Sequence, residues 1–260
     1  MALKEFAHLR EKNIFYEVSD SNPVSMFISG IHGDEGGICT PLSKILESLP
    51  EDFPPRMELL LANPKALKLG VRGVNKKDIN RDFSKKKRKK SWISKEIIEL
   101  VDTYPTMDYV FSFHEETDTE GYKDGENGEI EIFKRPDDAF YMYDAFNVQD
   151  KNQKEIEHIY HSLTSTLVGQ GFSLYNGYDD YSDDPNETVQ LNPVINGYCP
   201  QPSNKSKFED GSFENWVITQ GMKRSFAFEI PSGMTSERKE EMIKIIFDKF
   251  IIPFLNQVKK

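Results

Sequence analysis

The chain has 260 residues, with 43 acidic against 33 basic side chains and a formal net charge of −10, a field that repels a phosphate backbone and disfavours nucleic-acid binding. A hydrophobic share of 37% with 12% aromatics is too high for a disordered chain and enough for a substantial core. Two cysteines, Cys39 and Cys199, are too few for a disulfide framework or a thiolate cage, no run approaches 18 apolar residues, and Met1 to Arg10 lacks a secretory pattern, so the expected setting is cytoplasmic and away from membranes.

Taken in chain order, residues 14–18 and 24–31 read as strands, 37–49 as a helix and 57–62 as a strand. The basic run 85–90 reads as a solvated loop leading to a helix over 91–102, followed by a strand over 109–113 and a helix over 153–168. The acidic stretch 179–187 reads as a surface loop, with the rim of a cleft as the other reading. A strand over 225–230 and a helix over 236–258 complete the set, the helix carrying Met242, Ile245, Ile246 and Phe250 at helical spacing. Strands alternating with helices, with no Pro/Gly/Ser-rich linker, predict one α/β domain over residues 1–260. Its sheet should be mostly parallel (mixed) and twisted, with helices on both faces, and ligands should gather where strands run into loops.

The most informative segment is Phe27-Ile28-Ser29-Gly30-Ile31-His32-Gly33-Asp34-Glu35-Gly36-Gly37, a strand entering a glycine-rich turn and then a helix. A histidine and a carboxylate three residues apart across such a turn can converge on one zinc ion, and Gly33 allows the tight path between them. Taken alone, the same spacing also fits a capped helix start beside a surface histidine. His114, just past the apolar run Tyr109-Val110-Phe111-Ser112-Phe113, adds a second imidazole. Two histidines and one carboxylate leave a coordination position open, as in catalytic rather than structural zinc sites. His158 and His161, three apart on a predicted amphipathic helix, read as helix surface.

Glu229, in Ser225-Phe226-Ala227-Phe228-Glu229-Ile230-Pro231, is an ionisable carboxyl in an apolar setting, where burial would raise its pKa toward the range of a general base. The alternative is a sheet-edge glutamate facing solvent. A further segment runs Asn63-Pro64 to Arg72, then Asp78-Ile79-Asn80-Arg81-Asp82-Phe83. Arginines near a zinc can hold a substrate carboxylate or stabilise an oxyanion, although surface arginines are common.

Together, in this order, these segments over about residues 24–233 resemble the zinc metallocarboxypeptidase superfamily. The Asn-Pro-to-Arg spacing and Gly211-Ser212-Phe213-Glu214-Asn215-Trp216 look most like its small carboxypeptidase and murein-peptide amidase branch. A similar spacing occurs in the aspartoacylase and succinylglutamate desuccinylase branch. The resemblance implies one zinc ion held by His32, Glu35 and His114, with Arg72 polarising the scissile carbonyl. It also implies Asn80 and Arg81 on a terminal carboxylate, and Glu229 as general base toward a zinc-activated water. Glu115 and Glu116 would tune His114 from behind. The tyrosine that many carboxypeptidases place upstream of the base has Tyr198 as its nearest counterpart. Glu214 falls where relatives line the side-chain pocket, so it would favour a cationic side chain, unless Ser212 caps a helix and Glu214 complements its dipole from the surface.

The reading that follows is zinc-dependent hydrolysis of an amide bond in a peptide or peptide-like substrate with a free carboxylate. The alternatives are an N-acyl amino acid deacylase and a non-catalytic metal- or peptide-binding protein. No protein partner is inferred.

Overall fold

The computed structural model describes residues 16–83, 90–150, 153–179, 192–202 and 211–258. Residues 14–15 of the first expected strand lie outside these residues, as do all of the basic run but Lys90 and all of the acidic stretch but Asp179.

The apolar runs form the centre of a mixed sheet. Its strands are β1 (Glu17–Val18), β2 (Ser25–Ser29), β3 (Arg56–Leu59), β4 (Tyr109–Glu116), β7 (Ala139–Phe146), β8 (Ser173–Leu174), β11 (Tyr198–Pro202) and β12 (Arg224–Pro231), in the order β1-β3-β2-β4-β12-β7-β11 with β8 paired to β7. Strands β3, β2, β4 and β12 are mutually parallel, whereas β7 runs antiparallel to β12 and parallel to β11 and β8. A small antiparallel sheet of β5 (Glu120–Asp124), β6 (Ile130–Lys134), β9 (Gly177–Asp179) and β10 (Asn192–Val194) stands beside it. The expected α/β class with a mixed, mostly parallel sheet is the one observed.

Helices cover both faces. On one, α1 (Cys39–Glu47), α4 (Gln153–Gly169), α6 (Ser236–Ile246) and α7 (Ile252–Val258) pack on Phe27, Phe111, Phe113, Phe226 and Phe228, whose rings stack across neighbouring strands. On the other, α3 (Trp92–Thr103) and α5 (Phe213–Thr219) pack on Met26, Ile28, Met57, Leu59 and Val110. Because successive residues of a strand point to opposite faces, β4 sends Phe111, Phe113 and Glu115 toward α1 and α6, and Ser112 and His114 toward α5. No helix among the described residues is long and apolar enough to cross a membrane.

The expected helix 236–258 is helical throughout, with one wide turn at Phe247–Ile251 between α6 and α7. Strand β4 extends to Glu116 rather than ending at Phe113, because β12 pairs with it residue for residue to Pro231. His114 therefore lies within a strand, directly opposite Glu229. Strand β7 has no counterpart among the predicted elements, its alternation being masked by apolar residues on both faces. The short helix α2 (Pro64–Leu69) was also not expected, although Asn63 caps it, Pro64 opens it and Gly70 ends it in a left-handed conformation.

Candidate metal centre

At the carboxyl ends of β2, β4 and β12 a cleft of about 440 Å3 opens, lined by His32, Glu35, Arg72, Asn80, Arg81, His114, Glu214 and Glu229 among others. His32 and Glu35 come from the loop between β2 and α1. That loop presses on the start of α2 at Gly33, where a Cβ would sit 2.0 Å from the Ala66 carbonyl carbon, so only glycine fits.

His32, Glu35 and His114 each offer one ligand atom, and these atoms lie within 4.8 Å of one another, the three residues being buried. The two imidazoles are oriented alike. His32 Nδ1 faces Glu35 Oε1 at 2.5 Å and its Nε2 lies 3.0 Å from Asp78 Oδ1. His114 Nδ1 faces Glu35 Oε2 at 2.9 Å, and its Nε2 lies 3.0 Å from Glu214 Oε1 and 2.9 Å from Ser112 Oγ. Each histidine thus gives one nitrogen to a carboxylate behind it and turns the other toward a shared point, the arrangement of carboxylate-held metal ligands. Two imidazoles and one carboxylate with a position to spare suit zinc, and the donor set fits the expected ion.

The charges of the cluster support one another. Burial alone would raise the pKa values of Glu35 and Glu214, but His114 and the hydrogen bonds bring each down to about 2. Burial would lower both imidazoles, yet Asp78 and Glu35 raise His32, and Glu35 and Glu214 hold His114 well above its ordinary value. Glu229, opposite His114 in the strand pair, moves the other way: burial, opposed by His114 and reinforced by Glu116 and Glu35, pushes its carboxyl well above the usual range. It is partly buried in the cleft rather than on a solvent-facing edge.

The remaining expected residues divide. Arg72 is half exposed at the rim, its Nε 3.2 Å from Asp78 Oδ2 and its Nη1 3.4 Å from Glu35 Oε1. Arg81 lines the cleft, with Nη1 donating to the Asn80 carbonyl at 3.3 Å. Asn80 is buried, and its amide joins two elements: Nδ2 donates to Glu214 Oε2 at 3.2 Å and Oδ1 accepts from the Phe213 N–H at 2.8 Å. It therefore acts on Glu214, and its amide is already occupied where substrate contact was expected.

Two expectations need correction, and the open question of Tyr198 is answered. Glu214 is neither an acid reading a cationic side chain nor a surface complement to the dipole of α5. Ser212 does cap α5, but the glutamate points inward, and its two oxygens are taken by His114, Ser112 and Asn80. Glu115 and Glu116 do not tune His114, whose two nitrogens already face Glu35 and Glu214. Glu115 lies on the opposite face of β4, accepting from the Gly37 N–H at 2.5 Å and pairing with buried Lys239, while Glu116 binds Arg135 and the Tyr141 hydroxyl. Tyr198 is turned from the cleft by the alternation of β11 and donates to Asp144 at 2.5 Å; the tyrosines that line the cleft are Tyr141 and Tyr143. His158 and His161 are exposed on α4, as expected.

Sequence reasoning assigned no role to Asp78, Ser112, Lys239 or Gln201. The signal for Asp78 was present, since its side chain also caps the turn Ile79–Arg81 by accepting from the Asn80 N–H at 2.8 Å. The others depend on elements far apart in the chain.

Over residues 23–149 the chain matches the family model of the succinylglutamate desuccinylase/aspartoacylase catalytic domain, a stretch that contains His32, Glu35, Arg72 and His114 but not Glu214 or Glu229. Among solved structures it is similar to a candidate metallopeptidase of Shewanella denitrificans, at 21% identity over 92% of this chain and 78% of that one, with a TM-score of 0.63. It is also similar to the murein-tripeptide amidase MpaA of Escherichia coli O157, at 15% identity over 92% and 85% of the two chains, with a TM-score of 0.51. A third is the product-bound cell shape determinant protein Csd4 of Helicobacter pylori, at 16% identity over 95% of this chain and 55% of that one, with a TM-score of 0.56. No curated protein matches the sequence.

Proposed function

We propose, from the α/β fold that this chain shares with zinc-carboxypeptidase-like peptidases and amidases, that it is a zinc-dependent hydrolase of an amide bond in a peptide or peptide-like substrate with a free carboxylate. The observation that carries the reading is the convergence of His32, Glu35 and His114 beside Glu229 in a cleft whose lining includes Arg72 and Arg81. Zinc bound by the three residues would supply Lewis acidity at the scissile carbonyl.

The chain's own groups account for the rest. Glu229, with its raised pKa, is suited to take a proton from the attacking water and pass it to the leaving amine. Arg72, half exposed at the rim beside Asp78 and Glu35, is suited to donate to the developing oxyanion. The planar guanidinium of Arg81 suits a substrate carboxylate. Asp78 and Glu214 hold the imidazoles by Nε2, which leaves the Nδ1 of each beside Glu35, where the three residues would hold the zinc.

The test is a hydrolysis screen of the zinc-loaded protein across C-terminal residues, γ-linked peptides and N-acyl amino acids, run beside metal analysis of the wild type and His114→Ala. Stoichiometric zinc lost in the variant, with cleavage of a carboxylate-bearing amide, is the expected result. Undiminished zinc affinity in His114→Ala, or the absence of any hydrolysis, overturns the reading. The match to the desuccinylase/aspartoacylase model favours N-acyl amino acid deacylation as a second reading, and preferential turnover of N-acyl amino acids over peptides would select it.

A further inference from the structure

The backbone that leads from Glu35 into α1 is not held by its own sequence. Gly36–Ile38 forms one tight helical turn that runs straight into α1, and among the described residues neither element has a side-chain cap at its start or an acid in its first turn. The first N–H groups of a helix lack intrahelical acceptors, and a capping side chain or an anion normally meets them. Glu35 stands at the capping position but is turned to His32 and His114 instead. Two glycines follow it, and they loosen the chain where the direction of a ligand is set.

Glu115 supplies the missing acceptor from 78 residues away in the chain. Strand alternation sends it to the face of β4 opposite His114. There its Oε2 accepts the Gly37 N–H at 2.5 Å, and its Oε1 pairs with Lys239 of α6, both side chains being buried. A Cβ on Gly37 would lie 2.6 Å from Glu115 Oε1 and 2.9 Å from Lys239 Nζ, so the absence of a side chain is what lets the pair reach the backbone. A buried ion pair is a weak source of stability, because apolar residues of similar volume often serve as well. Apolar residues cannot accept an N–H, and Glu115 does.

We propose that Glu115 and Lys239 are positioning residues for Glu35: Glu115 caps the turn that follows this metal ligand, and Lys239 holds the capping carboxylate in place. Neighbouring residues of β4 then serve one centre from two faces of the sheet, His114 directly and Glu115 through Gly37. The proposal rests on the metal centre assigned to His32, Glu35 and His114, but the state of the turn can be measured without metal.

The experiment compares wild type with Lys239→Met/Glu115→Gln, Lys239→Met/Glu115→Leu and Gly37→Ala. Zinc affinity is read by chelator competition, and metal-free protein is followed by denaturant unfolding and by amide hydrogen exchange at Gly37. Glutamine keeps an acceptor for the Gly37 N–H and leucine does not. Both double variants should unfold at similar denaturant concentrations, since each removes the two buried charges together. The glutamine variant should stay within about threefold of wild-type zinc affinity, whereas the leucine variant should lose about tenfold or more. In the leucine variant the Gly37 amide should also exchange about tenfold faster or more. Gly37→Ala keeps both charged groups but pushes them from the backbone; it should lose zinc affinity to a similar extent, and it carries the test should the leucine variant fail to fold. Equal zinc affinity and equal Gly37 exchange in the two double variants would make the pair merely structural and overturn the proposal, as would wild-type affinity in Gly37→Ala. No zinc bound by wild type, with the exchange contrast intact, sustains Glu115 as the cap and overturns the metal-centre reading.

Discussion

The two imidazoles of the candidate centre are held by different kinds of structure. His114 lies within β4, paired with Glu229 of β12 and one residue past the last pair with β2, with its Nε2 on a buried glutamate that Ser112 and Asn80 also hold. His32 lies on a loop, and its Nε2 rests on Asp78, whose side chain is 26% exposed and shared with half-exposed Arg72. The strand-borne ligand is placed by register and the loop-borne one by a solvent-facing network, so one half of the centre should be rigid and the other adjustable. Glu35, which faces both, couples them.

The largest expected effect on turnover lies on the rigid side. Glu229→Gln should keep zinc and fold while lowering kcat by about 10²-fold or more, the usual contribution of a general base. Near-normal turnover in the zinc-replete variant would move the base elsewhere.

Removing the carboxylate behind each histidine tests the contrast directly. Glu214→Gln and Asp78→Asn should each weaken zinc binding by about 10–100-fold in chelator competition. Glu214→Gln should be the more severe, since water cannot replace the lost charge in a buried site. Equal losses, or a larger loss from Asp78→Asn, would refute the division into rigid and adjustable halves.

The far face of β4 sharpens the comparison. Buried Lys239 pairs with Glu115, whose other oxygen takes the Gly37 N–H, and a Cβ on Gly37 would lie 2.6 Å from that carboxylate. Lys239→Met strands a buried carboxylate and should cost about 3–5 kcal/mol of stability. The double variant Lys239→Met/Glu115→Gln should recover most of it in denaturant unfolding; failure to recover would show that the pair does not act as a unit.

The smallest expected effect is a pH dependence. In metal-free protein, Glu35 and Glu214 have lowered pKa values, so their stabilisation is complete above about 4.5 and is lost as pH falls toward about 2. The raised His32 and His114 contribute fully below about 6.5 and lose their contribution as pH rises through their folded-state values. The metal-free Tm should therefore peak between about 4.5 and 6.5, and the gain in Tm on adding zinc should grow above that window as the metal no longer competes with imidazole protons. A zinc-induced shift independent of pH from 6 to 8 would contradict the arrangement of protons drawn here.

Much of this was legible from short range. Apolar runs bounded by turn residues located β2, β4 and β12, and helical periodicity located α6 and α7. The turn from His32 to Glu35, with Gly33 between them, announced a pair of candidate ligands because three residues across a tight turn limit where two side chains can go. Those signals are local and survive in any context. The partners were not legible. Whether Glu214 faces solvent, substrate or His114 depends on how α5 packs against β4, 100 residues away in the chain. Whether Glu115 or Glu116 touches His114 depends on strand alternation within a sheet whose neighbours β2 and β12 come from opposite ends of the sequence. The sequence by itself determined which residues could bind a metal, because donor chemistry and loop stereochemistry are carried by a few consecutive residues. Tertiary structure alone decided which carboxylates hold the histidines and which acid stands opposite His114, because register and packing bring together groups that chain order keeps apart.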